Sequence, residues 1–226
     1  MSKIPLHRIK KDKIVWLGNN YCKHSHTYLD HYSCYLSEVP EEREKIAFLD
    51  IESSNLDANF GIILCYCIKD GSSKKIFYDT ITDKDIKKYP PDKTDTRVVK
   101  SLINNLFKFN RVVCHYGCYF DIPFTRTRAL ICGVDFPPYG SLMQDDTWRI
   151  ARNKLKLNSN RLEVVCRTLF GETQKTHLDG KYWIGAVRGD KKSLKYILDH
   201  NKKDVLDLEK VYNKIKDYIR MTNSSI

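Results

Sequence analysis

Asp50 and Glu52 stand two residues apart at the end of an apolar run, and alternate residues of a strand project from one face. In α/β sheets, ligands bind where strands end. Two like charges buried side by side in such a place are costly unless a cation neutralises them. Asp207-Leu208-Glu209 repeats the spacing in a helical stretch, where a separation of two points the groups apart, so the pair alone is weak evidence. A second acid, Asp121, follows His115-Tyr116-Gly117-Cys118-Tyr119-Phe120 and opens a helical segment packed by Phe120 and Phe124. Taken alone it reads equally well as a helix-start acid favoured by the macrodipole. The third acid, Asp204, lies four residues after His200, which on a helix puts both on one face. A surface helix pair is the plain alternative there.

A different chemistry is written between Tyr21 and Cys34. Five soft ligands, Cys22, His24, His26, His31 and Cys34, fall within thirteen residues. Two Cys and two His would complete a tetrahedral structural zinc. Cys22, His31 and Cys34 with either His24 or His26 make that set, in a small knuckle. The spacing departs from the usual finger pattern, so a histidine-bearing surface loop is the alternative. A catalytic zinc is not expected, because the acids have their own ligand set. The eight cysteines read as intracellular thiols of a cytoplasmic protein, since no apolar leader follows the basic N-terminus.

Lys and Arg number 39 against 28 Asp and Glu, a net charge of +11. Such an excess favours a polyanionic partner, nucleic acid first, although charge also serves solubility. With 42% hydrophobic and 12% aromatic residues the chain can bury a core, which excludes a disordered protein. No apolar run approaches the roughly 20 residues needed to span a bilayer, so no membrane partner is expected.

The elements that must position these groups begin at Lys45, after the charged run Glu41-Glu42-Arg43-Glu44-Lys45. This divides the chain into an N-terminal extension, 1–44, and a catalytic domain, 45–226. Strands are predicted over 46–51, 62–68, 75–78, 111–115 and 142–148, the third following the turn Asp70-Gly71-Ser72-Ser73. Val98, Val99, Leu102, Ile103, Leu106 and Phe107 recur at helical spacing, and further helices are predicted over 119–132, 148–156, 161–170 and 193–219. This order implies an α/β fold, a mixed sheet of about five strands flanked by helices. The tail 221–226 is expected to fray.

Phe48-Leu49-Asp50-Ile51-Glu52, Tyr119-Phe120-Asp121-Ile122-Pro123-Phe124 and the stretch from His200 to Asp204 resemble, in order, the three motifs of the DEDD superfamily of 3′–5′ exonucleases. Asp146-Thr147-Trp148, Leu155-Lys156-Leu157 and Arg161-Leu162-Glu163-Val164-Val165 are similar to its YprB-like branch. A more distant likeness is to the proofreading domains of family B DNA polymerases. The resemblance covers roughly residues 45–219 and implies a ribonuclease-H-like fold.

It also implies a hydrolase that removes nucleotides from single-stranded ends, DNA in the first instance, using two Mg²⁺ or Mn²⁺ ions on the order of 3.5–4 Å apart. Oxygen ligands at this density suit those ions rather than zinc. Asp50 would bridge both, with Glu52, Asp121 and Asp204 completing the shells. His200 would act as general base or orient the attacking water. Here the chain departs from the family, whose histidine subclass places four residues before the final Asp and whose tyrosine subclass places three. His200 stands at the tyrosine spacing, so both roles stay open; Tyr196, one turn earlier, reads as core. Asn55 and Leu56 lie where such enzymes wedge the terminal nucleotide. Tyr116, Tyr119 and Trp148 offer stacking surfaces, and Arg126, Arg128, Lys154, Lys156 and Arg161 offer phosphate contacts. A structure-selective endonuclease and a binding module with little turnover are the rival readings.

Overall fold

The computed structural model describes residues 11–39, 44–174 and 179–219; most of the charged run and the tail expected to fray lie outside them. The chain divides into two compact units, Met1–Glu44 and Lys45–Ile226. In the smaller, helices α1 (Lys11–Asn19) and α2 (Tyr32–Glu38) flank a turn closed by an isolated bridge between Tyr21 and Thr27. Trp16, Tyr28 and Tyr35 pack ring on ring beside it.

The larger unit is built on β1 (Ile46–Ser53), β2 (Ile63–Asp70), β3 (Ile76–Thr80), β4 (Arg111–Cys114) and β5 (Met143–Asp146). They form one mixed sheet in the order β3-β2-β1-β4-β5. β1, β2 and β3 pair antiparallel through short connections, whereas β4 and β5 run parallel to β1. Parallel neighbours require crossovers, which here carry α3 (Asp83–Lys88) and α4 (Thr96–Leu106) before β4, and α5 (Asp121–Cys132) before β5. α6 (Thr147–Lys154), α7 (Leu162–Phe170), α8 (Lys181–Val187) and α9 (Lys191–Ile215) follow.

Residues 63–68 of β2 offer no polar alternation and are fully buried, which demands cover on both faces. Tyr66 shows what covers one of them: its Oη bonds Ser101 and Asn105 of α4, each at 2.8 Å. Lys69 shows the other, its Nζ reaching Glu209 of α9 at 3.0 Å. Cys65 and Cys67 share the Lys69 face, and α9 lies over it with a buried stripe from Leu194 to Ile215. Among the described residues no helix is long and apolar enough to cross a membrane.

Several elements differ from the sequence expectation for local reasons. α3 is short and held by a capping box between Thr82 and Asp85. α8 carries little periodicity of its own and is held on α9, where Tyr182 stacks on Tyr196 with ring centres 3.9 Å apart. The last strand stops at Asp146 because that side chain caps α6, accepting the N–H of Trp148 at 2.9 Å. The expected helix over 193–219 starts earlier, on the Asp190 cap, and closes in a short 3₁₀ turn after Ile215.

Candidate active site

The β1–β2 register sets Asp50 opposite Cys67 and Glu52 opposite Cys65, so both carboxylates face α9. The register slips between Glu52 and Ser53, a bulge immediately past the acid pair. α9 answers with a polar interruption of its apolar stripe: His200, Asn201 and Asp204, all buried. One ligand atom each from Glu52, His200 and Asp204 lie within 4.8 Å of one another. His200 Nε2 is 3.3 Å from Asp204 Oδ2. Asn201 Nδ2 donates to Asp50 Oδ2 at 2.7 Å, while its own Oδ1 is buried with no hydrogen-bond partner among the described residues.

Asp121 reaches the same strand end from the other side. Its Oδ1 accepts the N–H of Ile51, the residue between the two β1 acids, at 3.1 Å. A tight loop makes this approach possible. Tyr116 adopts φ +70°, and a Cβ at Gly117 would lie 2.1 Å from Cys114 Cβ and 3.3 Å from Asp121 Oδ2. Only glycine fits there. Asp146 clamps the loop by accepting the N–H groups of Tyr116 at 2.9 Å and Cys118 at 3.1 Å. Burial pushes the Asp121 carboxyl up to about 7, helped by the charge of Asp146 and opposed by the N–H groups of Ile51 and of Asp121 itself.

The remaining residues singled out by sequence fall into different places. Leu56 is 80% exposed and, with Tyr119, Phe120 and Phe124, lines a cleft of about 160 Å³ between the loop after β1 and α5. Asn55 turns that loop, its Oδ1 accepting the N–H of Asp57 at 3.1 Å. Tyr116, Tyr119 and Trp148 form one aromatic cluster, with ring centres 4.9 to 5.9 Å apart. Arg126 lies over the Phe136 ring at 5.2 Å and does not line the cleft. Arg128 is no phosphate contact: it is buried and bonds Asp95 at 2.6 Å, tying α5 to the start of α4. Lys154 borders a separate pocket of about 290 Å³ beside β5, and Lys156 and Arg161 are exposed. The duplicate acid pair also resolves, since Asp207 anchors Thr173 and Gln174 and Glu209 pairs with Lys69.

Sequence reasoning gave Asn201 no role, and it placed Asp146 in a motif likeness without showing that it clamps the loop before α5. Asn201 carried a usable signal, for it sits beside His200 where the α9 stripe should be apolar. In the smaller unit, Cys22, His24, His31 and Cys34 are brought together and His26 is left outside the group.

The donor set at the end of β1 fits hard divalent cations: carboxylates, one imidazole and a buried amide oxygen with no partner among the described residues. A comparison with curated proteins finds no match. The family B DNA polymerase of the hyperthermophilic archaeon Pyrobaculum calidifontis has a similar fold, with a TM-score of 0.58 and 17% identity. The likeness covers 76% of this chain and only 25% of that polymerase. The family model of the RNase_H superfamily matches residues 47–216, from β1 to the end of α9. On that match, over three quarters of its length, the chain belongs to the ribonuclease H superfamily.

Proposed function

We propose that this protein is a metal-dependent nuclease that removes nucleotides from the 3′ ends of single-stranded nucleic acid. The observation that carries the reading is the convergence, at one end of β1, of acids from three distant parts of the chain. Asp50 and Glu52 come from the strand, Asp121 from the start of α5, and Asp204 from α9 with His200 beside it. Asp50, Glu52, Asp121 and Asp204 would hold two Mg²⁺ or Mn²⁺ ions. When bound, such ions supply Lewis-acid activation of water and stabilise charge on the leaving 3′ oxygen.

The chain's own groups then have separable tasks. Asn201 fixes the orientation of Asp50 through its 2.7 Å bond. His200, whose Nε2 is 3.3 Å from Asp204, would take a proton from the attacking water or orient that water. Leu56, Tyr119 and Phe120 would seat the terminal base in the cleft beside the acids. Tyr116 and Trp148 extend that surface for a second base. The motif likeness to proofreading domains supports the same direction of attack, and the +11 charge suits a polyanionic substrate.

The test is a gel time course with 5′-labelled single-stranded DNA and RNA of one sequence, in Mn²⁺ and in EDTA. The expected result is a metal-dependent ladder shortening one nucleotide at a time, with circular DNA left intact. Cleavage of the circle would replace this reading with an endonuclease. Retarded mobility without cleavage would replace it with a binding module.

A further inference from the structure

The Cys/His group of the smaller unit is unused by the nuclease reading and is a site in its own right. We infer that Cys22, His24, His31 and Cys34 hold a structural zinc ion. A tetrahedral zinc, with sulfur at about 2.3 Å and nitrogen at about 2.0–2.1 Å, sets neighbouring S and N ligands about 3.5–3.6 Å apart. Cys34 Sγ lies 3.3 Å from His24 Nδ1 and 3.5 Å from His31 Nδ1. Cys22 Sγ lies 3.6 Å from His31 Nδ1 and 3.9 Å from His24 Nδ1. All four sulfur–nitrogen edges of a tetrahedron are therefore present, and both rings turn the same nitrogen inward.

Local backbone structure explains why these four meet. Cys22 accepts the Ser25 N–H at 2.9 Å and donates its own N–H to His26 at 2.9 Å, closing a tight turn in which Ser25 adopts φ +61°. That turn aims Cys22 and His24 to one side. His31 immediately precedes α2 and Cys34 sits three residues on, so both side chains come to one side of the helix start. His26 stands outside, its ring edge-on to that of His31 with centres 4.9 Å apart. The sequence left His24 and His26 equivalent; the turn separates them.

Burial gives the ion its role. Among the described residues of this unit only Leu17, Cys22, Cys34 and Tyr35 are buried, and two of these four are ligands. A segment this small lacks the core to fold unaided, and structural zinc is what such segments use.

The test measures metal in the full chain, purified without chelator, by plasma mass spectrometry. About one zinc per chain is expected. It should be unchanged in His26→Ala and in Asp204→Asn, which separates this site from the acid cluster. It should fall below about a tenth in Cys34→Ser and in His31→Ala. Hydrogen exchange of β1, β2 and α9, unchanged in those variants, checks that the larger unit is still folded. Cobalt reconstitution should give tetrahedral d–d absorption with thiolate charge transfer, both lost in Cys34→Ser. A chain that takes up no zinc, or Cys34→Ser that keeps it, overturns the site. Loss in His26→Ala with retention in His24→Ala overturns the ligand set.

Discussion

The acid cluster and the Cys/His cluster solve the same problem, holding several like donors together, in opposite ways. Around the acids, each donor rides on an element with its own packing: β1 lies between β2 and β4, and α9 is anchored by Leu194, Ile197, Val205, Leu208 and Val211. The packing of β1 and α9 itself brings the carboxylates near one another. In the smaller unit two of the inferred ligands are themselves half of the buried set among the described residues. There the ligands are the scaffold. Hard oxygen donors on a large core suit exchangeable Mg²⁺ or Mn²⁺, whereas thiolates and imidazoles on a minimal core suit a permanent zinc.

The largest expected effect follows from that contrast. A strong chelator should strip the smaller unit of hydrogen-exchange protection, because structural zinc in small domains contributes on the order of 10 kcal/mol. Under the same treatment the sheet and α9 should stay protected and only nuclease activity should stop. Loss of protection in both units together would break the comparison, since the acids would then also be part of a metal-dependent scaffold.

Next in size is Asp204→Asn. Losing a proposed cation ligand should slow metal-dependent nucleotide release by at least about 10³-fold, or about 4 kcal/mol. The melting temperature in EDTA should hold or rise, because one of several neighbouring carboxylates has been neutralised. A variant that retains activity would remove Asp204 from the proposed chemistry.

Asp121 supplies a pH test of the same idea. Its carboxyl is raised from 3.8 to about 7 by burial, so the folded chain binds a proton that the unfolded chain has released. The stabilisation is fully present below about pH 4 and is lost as pH rises through about 7, a difference of up to about 4 kcal/mol. In EDTA, the melting temperature of the wild type should therefore fall between about pH 4 and 7 relative to Asp121→Asn, and level off above that. Added Mn²⁺ should oppose the fall. Parallel curves for the two proteins would show that Asp121 is ionised throughout.

Much of this was legible in the residues, and the failures have physical causes. β2 announced itself by an unbroken apolar run, and α4 and α9 by long stripes, because burial on a large core imposes periodicity. α3 and α8 did not, since a helix of two turns is set by a cap or by the partner it packs on. Arg128 and Arg126 look alike in sequence, two apart on one helix. Only the fold reveals that Arg128 turns inward to Asp95 while Arg126 stays at the surface. The acids were found by order and spacing, but their partners were not, because a neutral side chain such as Asn201 carries no charge pattern.

Asn201 gives the smallest and sharpest prediction. If Asn201 positions Asp50, its loss should act through the cation rather than on the chemical step directly. Asn201→Ala removes the 2.7 Å bond and leaves all four acids in place. Partners that orient a metal ligand typically affect metal affinity about 10–100-fold. The Mn²⁺ concentration for half-maximal activity should rise by that factor, with the rate at saturating Mn²⁺ recovering most of its wild-type value. A merely structural residue would instead lower the melting temperature and leave the Mn²⁺ dependence unmoved. Asn201→Asp separates the two further. A carboxylate at that position keeps the volume but gives up the donor and sets a second negative charge against Asp50. It should therefore lose activity at low Mn²⁺ more severely than Asn201→Ala, and an equal loss in both variants would mean that filling the space matters more than aiming Asp50.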